Sequence, residues 1–441
     1  MENCPIYSIF AVGTNNYLQH MKQFKLFLTA ALLSCLTSVQ AQKYVGGDIS
    51  LLPTYEEHGA NYMDKDGKKI SDMLAFLKEQ GLNAMRVRLF VDPSLAPDEA
   101  KGQGVRQDLE YVKKLGKRIK DAGLQFMLDF HYSDTWADPG QQATPESFKM
   151  LPALAEELTH DYTKQCLKEL NEAGATPDFI QTGNEISFGM LWDSRCKVEA
   201  NSDWNGYTDT NWDHFTTVLK NAIQACREMC PEAKIILHTE QCANNPTLDV
   251  AFFKRIKDNK VDYDIIGTSY YPYYKGLISN LDKGLTQLET NFPDKQIMVV
   301  ETGCGYHYKM GDQDTGYPLT YDGQKDYTAD LITMLKKHPN VNGLFWWFLE
   351  ANEYGLDWAT KRVTDKWYDA SLFDNETGKA LTALYELKNF DDGSTGIRQI
   401  TTKDKTNDSW YSLDGRQLPD KPSAIFRECS AHHDVRRHRT L

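Results

Sequence analysis

The amino-acid sequence predicts an α/β fold, a (β/α)₈ TIM barrel with a short C-terminal tail. Short β-type runs alternate with helical runs from residue 45 to about residue 390, and the β-type runs number eight. Several of them are rich in Val, Ile and Leu, the composition of parallel strands buried on both faces. No glycine-rich phosphate loop follows the first strand, so an open doubly wound sheet lacks its usual support.

The strands are expected at 45–50, 84–90, 125–132, 178–185, 234–240, 264–271, 296–303 and 341–348. Helices lie between them. Ser71 to Gln80 stops at Gly81, a natural residue just past a helix end. Leu109 to Ala122 repeats its apolar residues at helical spacing and stops at Gly123. Leu331 to Lys337 ends before Pro339, and Lys379 to Phe390 closes the series with Leu381, Leu384, Tyr385 and Leu387. The loops after the third, fourth and seventh strands are long, and they lie on the face where barrel enzymes hold their sites.

Residues 1–41 read as a leader. Lys22 and Lys25 precede the mainly apolar run Leu26–Leu33, the pattern of a secretory signal, with Met21 as the expected start. That run is too short to span a bilayer. Val39-Gln40-Ala41 fits cleavage to a soluble protein beginning at Gln42, whereas Leu32-Leu33-Ser34-Cys35 fits a lipid anchor on Cys35. Both predict export, to the cell surface or as a secreted or periplasmic protein. Residues 42–390 form the barrel and 391–441 a linker and tail, in which Trp410 to Arg416 predicts one strand and turn. The His- and Arg-rich end from His432 to Arg439 has no periodicity. The seven cysteines after the leader are irregularly spaced and odd in number, so they read mostly as small buried apolar residues.

A net charge of -13 repels polyanions and argues against nucleic acid as partner. A neutral partner is not repelled. The aromatic fraction of 12%, with 23 Tyr and 9 Trp, suits both a large barrel core and flat sugar faces. A monomer is expected.

Reactive residues of a barrel gather at the carboxyl ends of its strands. Two carboxylates stand out there. Glu185 ends the run Asp178 to Asn184, and Glu301 ends Ile297-Met298-Val299-Val300. Strands four and seven lie across the barrel mouth, so both side chains can flank one bond, as glycoside hydrolysis requires. Asn184 can hydrogen-bond a sugar 2-hydroxyl. Arg88 can reach a carboxylate at the barrel floor, with Arg86 at the same strand parity, one for the site and one for a structural ion pair. His131 and Asp134 follow strand three; Tyr270 is expected to donate its hydroxyl to Glu301, and Trp347 to floor the cleaved sugar. Trp136, Trp192 and Trp204 stand in long loops as candidate sugar platforms. Asp312 and Asp314 are spaced like calcium ligands, but two carboxylates fall short of the roughly six to eight positions calcium takes.

Several runs together resemble glycoside hydrolase family 53, the arabinogalactan endo-β-1,4-galactanases. They are Gly46-Gly47-Asp48-Ile49-Ser50, Asn83 to Phe90, Asp129-Phe130-His131-Tyr132-Ser133-Asp134-Thr135-Trp136-Ala137-Asp138-Pro139-Gly140, Gln181 to Ile186 and Glu301-Thr302-Gly303. The resemblance implies β-1,4-galactan and galacto-oligosaccharides as partners. It implies a retaining mechanism with Glu185 as acid/base and Glu301 as nucleophile, and no cofactor for catalysis. Phe345-Trp346-Trp347-Phe348 replaces the family's Tyr-Trp-Glu-Pro, and Asp312-x-Asp314 keeps only the start of a calcium loop found in some members. Three other readings stay open: a mannanase or cellulase of the same clan, an inactive glycan-binding barrel and a metal-dependent hydrolase.

Overall fold

The computed structural model describes residues 42–307, 310–357, 359–364 and 368–391, and two short strands at Trp410–Tyr411 and Gln417–Leu418. The leader, with Met21, Cys35 and Val39-Gln40-Ala41, lies outside the described residues, as do Cys429 and the His- and Arg-rich end.

Eight strands are described in the first unit: β1 (Tyr44–Asp48), β2 (Ala84–Leu89), β3 (Gln125–Phe130), β4 (Phe179–Thr182), β5 (Lys234–Thr239), β6 (Ile265–Tyr270), β7 (Gln296–Thr302) and β8 (Val341–Trp346). They pair in sequence order, all parallel, and β1 closes the barrel on β8 with Val45 opposite Leu344. Alternate residues of a strand face opposite sides. One set, Ala84, Met127, Phe179, Ile236, Ile265, Met298, Val300 and Phe345, packs together inside the barrel. The other set joins the helices in the larger core, which includes Val87, Leu128, Ile180, Leu237, Ile266 and Val299. β1 approaches its neighbours so closely that a Cβ on Gly46 would lie 1.6 Å from the Ala84 carbonyl oxygen.

The expected strands run too far at their carboxyl ends. β3, β4 and β8 stop at Phe130, Thr182 and Trp346, and Tyr132, Glu185 and Phe348 beyond them have φ near +48°. Left-handed backbone breaks a strand and turns the following side chains toward the mouth. The helices differ mainly at their starts. One spans Met73–Glu79 behind its Asp72 cap, and another Leu109–Asp121, burying Val112, Leu115 and Ile119 on one stripe. The helix expected at 331 begins ten residues earlier, at Tyr321, where Thr320 caps the Gly323 N–H at 3.0 Å. Its first turns are mostly polar, so no apolar period marks them. Lys379 to Leu381 is extended, with Ala380 N–H on Met63 O, and the helix proper is only Thr382–Glu386.

The second unit contributes a strand pair, Gln417 opposite Tyr411 and Leu418 opposite Trp410, antiparallel. Six cysteines among the described residues are free and buried.

Three carboxyls are buried away from the mouth's ion pairs. Burial and the Asp48 charge push Glu350 up to about 8. Burial also lifts Glu353 and Asp249, each to about 7. Each therefore holds its proton more tightly folded than unfolded, where such groups titrate near ~4. The stability they contribute is complete below the unfolded value and is lost as pH rises through the folded values. Thermal unfolding is expected several degrees lower at about pH 8.5 than at about pH 5.5. Glu350→Gln keeps an oxygen for the Leu51 N–H, now held at 2.7 Å, and should narrow that gap. Identical gaps in both proteins, measured by calorimetry, would reject this account.

Candidate active site

Strand parity carries polar side chains inward above the apolar barrel core. Arg86, Asp129, Gln181, His238 and Ser269 occupy this layer, all fully buried. Arg86 is at its centre. Its Nη2 lies 2.8 Å from Asp129, 2.9 Å from Asn184 Oδ1 and 2.9 Å from Glu301 Oε1, and its Nη1 lies 3.1 Å from Asp48. Buried charges need such partners, because desolvation of an isolated ion costs several kcal/mol or more. Burial alone would raise Asp129, but Arg86 and then His131 draw it below the usual carboxylate range.

Glu301 is 4% exposed at the end of β7. Val300 faces the barrel interior, while Thr302 bonds outward to Tyr327 and the Tyr270 carbonyl. Strict alternation would point Glu301 outward. Irregular pairing on both sides of β7 breaks the alternation: Thr268 pairs with Val299 but Ser269 pairs with Glu301. Two consecutive side chains then turn inward. Glu301 Oε1 meets Arg86, and Oε2 accepts the Tyr271 hydroxyl at 2.7 Å and faces Ser269 Oγ at 3.4 Å. Burial pushes its carboxyl up, while Arg86 and the Tyr271 hydrogen bond pull it down.

Glu185 follows β4 through a sharp turn. Gly183 has φ +93°, and Glu185 itself sits at φ +47°. Such backbone is uncommon for a residue with a side chain. It is held by Gln142, whose amide donates to Asn184 O at 2.8 Å, and by the Glu185 N–H on His238 Nδ1 at 3.4 Å. His238 is driven well below its ordinary pKa by burial and by Arg86. Its Nδ1 lies 2.9 Å from the Gln181 amide nitrogen and 3.0 Å from Asn184 Oδ1, and its Nε2 lies 2.7 Å from Ser269 Oγ. Burial, the Glu301 charge and the Glu240 charge together push Glu185 well above the carboxylate range. Glu301 has the Arg86 ion pair and Glu185 has none, so the proton of the pair resides on Glu185.

Both carboxyls open into one cavity of about 350 Å³. Asn184, Trp136 and Trp347 also line it, with the two indoles 6.1 Å apart. Other expected site residues stand elsewhere. Tyr270 faces the helix layer and donates to Gly276 O at 2.7 Å; Tyr271, one residue on, reaches Glu301. Ile265 points inward, so Ser269 and Tyr271 share its parity and Tyr270 does not. Arg88 does not meet Glu301. It pairs with Asp48 at 2.8 Å beneath Trp347, whose ring centre is 4.6 Å away, and Arg86 takes the carboxylate instead. His131 is buried behind the cavity wall, accepting the Ala137 N–H at 3.0 Å and meeting Asp129 at 3.1 Å. It therefore holds the Trp136 loop. Asp134 caps the backbone N–H groups of Asp92 and Glu146. Trp192 packs with its indole N–H on Phe188 O, while Trp204 is 55% exposed.

Glu240, Tyr271, Tyr274 and Lys275 line the cavity without having been selected from the sequence. Parity from Ile236 would have found Glu240, and parity from Ile265 would have found Tyr271. Asp314 caps the Gly316 N–H at 2.9 Å. Among the described residues, no three His, Cys, Asp or Glu side chains gather as a metal site.

Cleaving an acetal between two sugars takes one protonated and one ionised carboxyl on a shared cavity. A closed barrel that presents such a pair at its mouth defines a glycoside hydrolase. The chain belongs to glycosyl hydrolase family 53, whose profile matches residues 44–387. It is 28% identical over 377 residues to the arabinogalactan endo-β-1,4-galactanase of Cellvibrio japonicus, covering 80% of this chain and 92% of that protein. It is 27% identical over 368 residues to the endo-β-1,4-galactanase of Bacillus subtilis, covering 75% and 81%. The family 53 catalytic domain from Ignisphaera aggregans superposes with a TM-score of 0.68 at 28% identity, covering 80% of this chain and 97% of that one.

The two adjacent tyrosines give a direct test. Tyr271→Phe removes the hydroxyl on Glu301 and is expected to slow glycoside cleavage by roughly tenfold or more. Tyr270→Phe should leave turnover nearly unchanged and cost about 1 kcal/mol of stability. Steady-state rates and denaturant melts of both variants separate these effects, and reversed outcomes would refute the assignment.

Proposed function

We propose that this chain is a retaining endo-β-1,4-galactanase acting on galactan and type I arabinogalactan, the side chains of pectin. The observation that carries the reading is the pairing of a proton-holding Glu185 with an Arg86-bound Glu301 across one cavity. The names of the relatives supply the sugar.

In the first step a Glu301 oxygen forms a bond to the anomeric carbon. The bond from that carbon to the leaving oxygen breaks, and its electron pair takes the proton of Glu185. Glu301 becomes a glycosyl ester, and Tyr271 and Arg86 then release their hold on its charge. In the second step the Glu185 carboxylate takes a proton from water as the water oxygen attacks the same carbon. The ester bond breaks, Glu301 regains its charge and Glu185 its proton. Two inversions give net retention. The double displacement uses no cofactor, and the reading takes the protein as a monomer. Cutting within a polymer and release of galacto-oligosaccharides follow the names of the relatives, endo-β-1,4-galactanases. The leader supports export, with either Cys35 anchored or Gln42 as the mature start.

Wild type is expected to release reducing ends from linear β-1,4-galactan and not from mannan or cellulose. Glu301→Ala should lose several orders of magnitude in rate, on the order expected for a covalent nucleophile. Glu185→Ala should still cleave an activated aryl glycoside, yield the β-glycosyl azide when azide is added, and lose the alkaline limb of the pH profile. That limb reports deprotonation of the acid and should fall above the ordinary carboxyl range. Cleavage of mannan or cellulose instead would overturn the sugar. Binding of galactan without cleavage would make the protein a glycan-binding barrel.

A further inference from the structure

The two walls of the cavity differ in chemistry. One is built by Trp136 and Trp347 with the Ala137–Gln141 segment, and the other by Glu240, Tyr274 and Lys275. Glu240 follows β5 and is 1% exposed, yet lines the cavity. One of its oxygens receives the Gln241 amide, and the Ser187 hydroxyl lies beside it. Lys275 ends the short helix Pro272–Lys275. Its ammonium forms no salt bridge among the described residues, although it acts electrostatically on both Glu240 and Glu185. A carboxylate and an ammonium thus share one wall without closing on each other. A sugar hydroxyl fits such a pair, because it donates to one and accepts from the other.

Which sugar they would meet follows from their neighbours. Trp347 follows β8, the strand beside the β7 that carries Glu301, and its backbone N–H meets Thr302 O at 2.7 Å. Glu240 follows β5, the strand beside the β4 that leads into Glu185, and both it and Lys275 act electrostatically on Glu185. On the reading above, Glu185 hands its proton to the leaving oxygen, so the sugar next to it is the one that departs. Resting on that reading, we infer that Glu240 and Lys275 form the subsite for the leaving sugar, binding its hydroxyls while the exposed ring of Tyr274 offers a face to its C–H edge. Trp136 and Trp347 then serve the sugar that is transferred to Glu301.

The experiment compares two substrates on wild type, Glu240→Gln and Lys275→Met. Galactotetraose carries hydroxyls on its leaving part. Phenyl β-galactobioside needs the same proton from Glu185, but its leaving group bears no hydroxyls. The ratio of kcat/KM for galactotetraose to that for phenyl galactobioside is expected to fall about ten- to hundredfold in each variant, the effect of losing a charged hydrogen bond. Lys275 is half-exposed, so Lys275→Met keeps the test alive should Glu240→Gln fail to fold. An equal fall on both substrates would mean that these residues act through Glu185 or the fold, and would overturn the subsite. An unchanged ratio would overturn it too. Wild type inert on both substrates would instead refute the galactanase reading, and the subsite with it.

Discussion

The mouth of this barrel is organised around one buried cation. Arg86 has no exposure, and its guanidinium reaches strands β1, β3 and β7 and the turn after β4 at once. Desolvating it is costly, and only carboxylates held at fixed distances offset that cost. Asp48 and Asp129 are thereby committed, and Arg88 can be buried beside Asp48 under the Trp347 ring. Glu301 is the third carboxylate on Arg86, and it alone of the three lines the cavity. The charge chemistry of the site is therefore a by-product of satisfying a buried arginine. Losing any one of its partners would leave part of a buried guanidinium without an acceptor, a loss of roughly 1–3 kcal/mol.

Glu185 occupies the opposite electrostatic situation. It has no cation within ion-pair distance among the described residues, and burial with the Glu301 and Glu240 charges favours the proton over the opposing pull of the Ser269 hydroxyl and Lys275. The neutral imidazole of His238 sits between the two glutamates' supports, touching the Glu185 backbone on one side and Ser269 on the other. Burial first, and then repulsion from Arg86, keep that ring neutral. The two carboxyls can thus differ in protonation without any metal or bound group.

Much of this was legible in the sequence because the barrel reads out in order. Eight apolar runs, each followed by a helical pattern, leave little freedom in topology, and Glu185 and Glu301 stand where such runs end. What was misread has a physical cause in each case. Tyr270 and Tyr271 were separable by parity alone, since Ile265 faces the interior and Tyr271 is six residues on. Arg86 and Arg88 share parity, so the sequence could not say which meets Glu301; that depends on height in the barrel, set by the Asp48–Arg86 register. Glu301 itself faces inward only because the pairing slips around it. The ends of β3, β4 and β8 were overrun because Tyr132, Glu185 and Phe348 take left-handed backbone despite their side chains. His131 and Asp134 look like ligand-binding residues in sequence, but their hydrogen bonds are spent on the loop that carries Trp136.

The pairing of the first strand with the last has a consequence for how the molecule is made. Tyr44 waits for Gly343, about 300 residues later, and at ~5–20 residues per second that interval is tens of seconds on the ribosome. Throughout it, β1 has one edge without a partner, the kind of edge that recruits foreign chains. Its sequence, Tyr-Val-Gly-Gly-Asp, is short, glycine-rich and ends in a charge. The glycines that let β1 nestle against Ala84 and Leu349 also make it a poor template for aggregation while the nascent chain waits to close.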